Sequence, residues 1–87
     1  MPLFPGLTRV HGIVINGIAA SYFRRMQRRL RNYIDKGHFE PAQGVLAEIK
    51  LFAGESEVNR QVFEAIRRDA SERWLRNWEQ FPAVQSE

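Results

Sequence analysis

Residues 22–34 read YFRRMQRRLRNYI, and their spacing decides the fold. At 100° per residue, Ala19, Tyr22, Phe23, Met26, Leu30, Tyr33 and Ile34 fall on one side of a helix. Arg24, Arg25, Arg28, Arg29 and Arg31 occupy the opposite arc. The pattern predicts an amphipathic helix with a core face and a guanidinium face. Arg24, Arg28 and Arg31 lie along the centre of the polar arc, and Asp35 is the only carboxylate that can pair with them along the helix.

Working outward, helix one is expected over about 18–36. Gly37 serves as its left-handed stop, with Lys36 near the negative end of the dipole. Helix two is expected over about 41–53, with Pro41 in its first turn and Ala42, Val45, Leu46, Ile49 and Phe52 as its buried stripe. Leu51 lies off that stripe, exposed or touching a partner, and Gly54 ends the helix. Helix three is expected over about 56–81, capped by Ser56 and lined by Val58, Val62, Phe63, Ile66 and Ala70. Its phase then slips, because Trp74, Trp78 and Phe81 continue about 90° away from the Val58–Val62–Ile66 line. Either the helix breaks at Asp69-Ala70-Ser71-Glu72, which resembles a capping box, or it runs on with its two halves buried against different surfaces. Continuity is the preferred reading, with Pro82 as the stop and 82–87 as a polar tail.

Before the first helix the chain is expected to be an extended arm, residues 1–17. Pro2, Pro5 and Gly6 bar regular structure from the first six residues, although Leu3 and Phe4 can tuck against the core. Thr8 to Ile15 (TRVHGIVI) is β-branched and suits a short strand. Asn16-Gly17 is a turn dipeptide, yet the residues after it have a helical period, so the strand lacks a visible partner. It then packs on the helices or pairs with a second copy, and Asn16 alternatively caps helix one. The expected fold is a single all-α, three-helix domain.

Eighty-seven residues bound the chain to one modest core. The apolar fraction of 44% and charged fraction of 26% are ordinary for a globular chain. With no cysteine, disulfides and thiolate chemistry are excluded. The longest weakly polar run, Gly12 to Phe23, is short of the ~20 residues that span a bilayer. The beginning, MPLFPGLTRV, lacks a basic start followed by an apolar block, so a cytoplasmic protein is expected.

Charge is distributed unevenly. Residues 1–37 carry seven cations and Asp35, a sum of +6, whereas residues 38–87 carry six cations and nine carboxylates, a sum of −3. Helix three can neutralise itself through i,i+4 pairs (Arg60–Glu64, Glu64–Arg68, Asp69–Arg73, Glu72–Arg76). Helix one has only Arg31–Asp35. Its remaining arginines need counterions from the acidic middle segment (Glu40, Glu48, Glu55, Glu57), from a dimer, or from an external anion such as nucleic acid or an acidic protein surface. Arginine outnumbers lysine eleven to two, which suits bidentate phosphate contacts but also follows from a GC-rich genome.

No catalytic constellation stands out. His11 sits in a β-branched run and His38 in a linker, each read as structural or solvated, no serine sits in a GxSxG setting, and no glycine-rich phosphate loop is present. No cofactor or metal is expected. A helix-turn-helix with Gly54 in the turn would put Lys50 at the small position and Arg60 at the buried branched one, which speaks against that motif. A ribbon-helix-helix strand at Thr8–Ile15 would lack alternating polar readers, so phosphate contact is favoured over base readout. Trp74 and Trp78 read first as core; alternatively they form a docking face, with Leu51, for a partner or a second copy. Membrane-surface binding by the basic helix is opposed because Tyr22, Met26 and Leu30 are needed for the core. The expected function is therefore non-enzymatic and regulatory: binding to nucleic acid or a nucleic-acid-handling complex through helix one. The alternative is a protein inhibitor or adaptor module docking through the arginine face or the Trp74/Trp78 end.

Overall fold

His11 and Gly12, with φ of 53° and 79°, turn the chain back on itself. Two central residues in the left-handed region form the kind of two-residue hairpin turn whose twist matches the flanking strands. Around it β1 (Leu7–Val10) and β2 (Ile13–Asn16) pair antiparallel, with Thr8 opposite Ile15 and Val10 opposite Ile13. TRVHGIVI is thus the greater part of a hairpin, and not one strand awaiting a partner from elsewhere. Histidine tolerates positive φ better than most residues, and Gly12 does so without strain. The hairpin buries Val10 and Ile15 on its inner face and leaves Leu7, Arg9 and Val14 outside. A two-stranded hairpin is marginal in water on its own; here both buried residues join the helical core.

Residues 6–79 are described by a computed structural model. Leu3, Phe4, Phe81, Pro82 and the 82–87 tail lie outside the described residues. Asn16 ends β2 and also caps α1 (Gly17–Asp35), its side-chain oxygen accepting the Ala19 N–H at 3.0 Å. The turn expected at Asn16-Gly17 is therefore a strand-to-helix junction, closed by the Gly17 N–H donating to the Gly6 carbonyl at 2.8 Å. At the other end Gly37 adopts φ 75°. Its N–H bonds the Ile34 carbonyl at 3.0 Å, and the His38 N–H bonds the Tyr33 carbonyl at 2.9 Å. That crossed pair is the Schellman arrangement which glycine permits.

α2 (Phe39–Ala53) starts two residues earlier than its sequence signals suggest. Pro41 stays within the first turn, where its missing N–H leaves no bond unmade. Ala42, Val45, Ile49 and Ala53 are buried, so the stripe closes on Ala53, while Phe52 keeps 41% of its surface exposed. α3 (Glu57–Trp78) is one continuous helix, capped by the Ser56 hydroxyl accepting from the Asn59 N–H at 3.3 Å. Val62, Phe63, Ile66, Ala70 and Trp74 are all buried and fit within an arc of about 120° on the helical wheel. No phase slip is needed: the step from Ile66 to Ala70 to Trp74 drifts about 40° each time along a single face. Val58, expected on that face, keeps 37% of its surface exposed. The helix stops at Trp78, short of the expected 81, because Glu79 turns left-handed at φ 71° and its N–H bonds the Leu75 carbonyl at 2.7 Å.

The three helices and the inner face of the hairpin enclose one core. Phe23, Leu30 and Ile34 of α1, Ile49 of α2, and Val62 and Ile66 of α3 are its largest fully buried side chains. Each such burial is worth roughly 1.5–3 kcal/mol relative to exposure, before the entropy of ordering the chain is subtracted. The helical phase read from residues 22–34 is the observed one, with Tyr22 and Tyr33 at the margins of the buried face. The result is a mostly helical, three-helix domain with an N-terminal hairpin in place of an extended arm.

Candidate functional site

The outer arc of α1 presents its five arginines in three different states. Arg24 turns towards the hairpin, where its Nη2 donates to Thr8 Oγ1 at 3.1 Å and to the Arg9 carbonyl at 3.0 Å. Arg31 is half-buried and reaches α3, its Nε and Nη2 donating to Asp69 Oδ2 at 3.3 and 3.1 Å. Arg25, Arg28 and Arg29 enter no ion pair among the described residues. The Arg25 guanidinium carbon sits 5.8 Å from the Tyr22 ring centroid, and Arg29 Nη1 donates weakly to Met26 Sδ at 3.9 Å. Arg24 and Arg31, expected to lie farthest from the core, are in fact ties to neighbouring elements.

The Arg31 tie belongs to a polar network that spacing alone does not show. Gln27, the one polar side chain buried among the described residues, donates through Nε2 to Asp69 Oδ2 at 3.2 Å. Its Oε1 lies 3.1 Å from His11 Nε2 at the hairpin turn, a distance at which the imidazole N–H donates. His11, Gln27, Asp69 and Arg31 thus join hairpin, α1 and α3. A second tie joins the ends of the same two helices: Arg73 Nε and Nη2 donate to the two oxygens of Asp35 at 2.9 and 3.0 Å, with Asn77 Nδ2 adding 3.1 Å. The Arg73 hydrogen bonds hold the Asp35 carboxyl below the usual carboxylate range and raise the Arg73 guanidinium.

The expected in-helix pairs Arg31–Asp35 and Asp69–Arg73 are exchanged for two pairs between helices, Arg31–Asp69 and Arg73–Asp35. The reason is geometric: each carboxylate lies beside a guanidinium of the adjacent helix, in a partly screened seam where forked hydrogen bonds form. Within α3 the pair formed among the described residues is Arg67–Glu64 at 2.8 Å, spaced i,i+3, and not the i,i+4 set. The acidic middle segment pairs with none of the α1 arginines among the described residues.

The five arginines, Gln27, Asn32 and Asp35 line a broad shallow hollow of about 860 Å³ over the outer face of α1. Its one carboxylate is already engaged by Arg73, so the field over Arg25, Arg28 and Arg29 is uncompensated. Of the remaining candidate residues, Trp74 and Trp78 come together, their ring centroids 5.8 Å apart, and Leu51 does not join them. Trp74 is buried, its ring edge-on to Phe39 at 5.2 Å between centroids. Trp78 is half-exposed; its indole N–H donates to the Ile34 carbonyl at 2.8 Å, and its ring covers Gly37 so closely that an added Cβ would lie 3.0 Å from Cζ2. It latches the end of α3 onto the end of α1. Leu51 is 81% exposed in the last turn of α2, twelve residues or about 18 Å along the helix from Phe39, so it forms no common face with the tryptophans. Between α2 and α3 a smaller hollow of about 360 Å³ has Phe39, Leu46, Phe63 and Trp74 among its walls and Lys50 and Arg67 at its edge.

Among the described residues no group of histidine and carboxylate side chains is arranged to hold a metal, and no helix is long and apolar enough to cross a membrane. Compared with known proteins, the chain matches no family model, no curated protein and no solved structure.

Proposed function

We propose that this protein is a non-enzymatic nucleic-acid-binding domain that contacts phosphates through the outer face of α1. The observation that carries this reading is the trio Arg25, Arg28 and Arg29. These three guanidiniums share about one turn of helix and enter no ion pair among the described residues. Like charges so spaced oppose folding by a few tenths of a kcal/mol per pair, so their presence calls for an anion from outside. Arginine forks match phosphate oxygens bidentately, and Arg24, whose hydrogen bonds go to uncharged groups, extends the positive field while staying anchored to the fold. The contact is to backbone rather than to base edges, since a helix-turn-helix with Gly54 in its turn would put the exposed charged residues Lys50 and Arg60 where that motif takes a small and a buried branched side chain.

A protein partner with an acidic surface is the second reading, favoured by the same three arginines. The experiment that separates them is purification of the tagged chain from lysate with and without nuclease treatment. Nucleic acid is expected to accompany the untreated chain, seen as excess absorbance at 260 nm, and to leave on nuclease treatment. A discrete protein retained after nuclease, with no nucleic acid before it, contradicts the nucleic-acid reading.

A further inference from the structure

One flank of α1 interleaves its arginines with aromatic and apolar surface. On the helical wheel Ile18, Tyr22, Arg25 and Arg29 fall within about 60° of one another. α2 adds Phe52, whose ring stacks on Tyr22 with centroids 3.9 Å apart and planes 23° from parallel. The fully buried Phe23 abuts both rings edge-on, at 5.8 Å from Tyr22 and 5.4 Å from Phe52, so the pair is seated on the core. A cleft of about 520 Å³ is lined by Gly17, Ile18, Ser21, Tyr22, Arg25 and Phe52. Ile18 is 68% exposed and Phe52 41%: apolar and π surface is displayed to solvent beside two cations.

From this juxtaposition we infer that the Ile18–Tyr22–Phe52 cleft receives an unpaired base of a single-stranded nucleic acid, stacked on the exposed Phe52 ring with the adjoining phosphates on Arg25 and Arg29. The inference rests on the nucleic-acid reading above and narrows its ligand. A base within a duplex already has both faces covered, whereas every base of a single strand offers a π face, and aromatic platforms beside cationic grooves are how such strands are held without sequence preference. Arg25 and Arg29 are one turn apart, about 6 Å along the axis, so two phosphates of one strand can be met in succession. The Tyr22 hydroxyl donates to the Glu48 main-chain carbonyl at 3.5 Å, which ties that ring to α2.

The test uses the full chain and three labelled 15-nucleotide probes, oligo-dT, oligo-rU and a DNA duplex, in anisotropy titrations at about 50 mM salt. The single strands are expected to bind more tightly than the duplex, and the stronger of the two identifies the sugar preferred. Phe52→Leu keeps the apolar volume and removes the π face. It is expected to weaken single-strand binding roughly tenfold or more and to leave duplex binding within about twofold. Should Phe52→Leu fail to fold, photocrosslinking of a 5-bromodeoxyuridine strand to the wild-type chain decides, with adducts expected at Tyr22 or Phe52. Unchanged single-strand binding by a folded Phe52→Leu, or adducts confined to other residues, overturns the stacking site and leaves phosphate binding by α1 standing. A wild-type chain that binds none of the three probes overturns the stacking site and the nucleic-acid reading together.

Discussion

Leu30 shows what a single position contributes. It lies in the middle of the apolar arc of α1 and is 1% exposed. Leu30→Ala is expected to cost about 2–5 kcal/mol, a large share of what a domain of this size has; a midpoint of thermal unfolding that hardly moves would contradict the packing described. Gly37 tests a different kind of constraint. Its φ of 75° suits glycine, and a Cβ there would press on Trp78 Cζ2. Gly37→Ala is expected to destabilise by about 1–3 kcal/mol, and by less when Trp78 is also changed to Ala. Equal costs in the two backgrounds, measured by denaturant unfolding, would mean that only the backbone and not the indole constrains this position. Much at this scale is legible in the sequence: the stop at Gly37, the cap at Ser56 and the apolar phase of residues 22–34 all follow from local chemistry, and the Asn16 cap is the alternative to a turn there. The seat of Trp78 is not legible, because it depends on the end of α1 lying within reach of an indole that is 44 positions from Ile34 along the chain.

Elements meet where the spacing argument stops being informative. The hairpin is not legible because His11-Gly12 is a rarer turn dipeptide than Asn16-Gly17, and the commoner one points to a turn where a helix begins. The ion pairs are not legible for a related reason. A sequence displays the partners within one helix, at i,i+3 and i,i+4, yet Asp35 accepts from both nitrogens of one Arg73 fork from α3. This pair makes the α1–α3 seam sensitive to acid. The Asp35 carboxyl is held low when folded, chiefly by the Arg73 hydrogen bonds, so the unfolded chain takes up its proton first as pH falls. The contribution is present above the ordinary carboxylate range and is lost as pH drops through the folded value beneath it. Stability against urea is expected to fall over that acid window in the wild type, and to fall less steeply in Asp35→Asn. Parallel pH profiles for the two proteins would remove Asp35 from the seam. Because the pair is solvent-exposed, the difference should also shrink in high salt.

Over the whole molecule, charge separates by position more than by amount. The net charge is only +3, but the first 37 residues carry +6 by the sum given above, and α1 displays most of it on one side. That concentration was legible in the sequence; which arginines are spare was not. Arg24 and Arg31 are bound to the hairpin and to Asp69, so replacing them tests the fold as well as the ligand. The measurement that bears most directly on phosphate binding by α1 therefore replaces Arg25, Arg28 and Arg29 with Gln together, which keeps helix propensity and relieves like-charge repulsion. The triple variant is expected to melt at or slightly above the wild-type temperature. Its affinity for a generic nucleic acid should be lower, and the slope of log affinity against log salt should be about two to three units shallower, near one unit per lost phosphate contact. A folded triple variant that binds with the wild-type slope would contradict the account, since the outer face of α1 would then not be where phosphate is held.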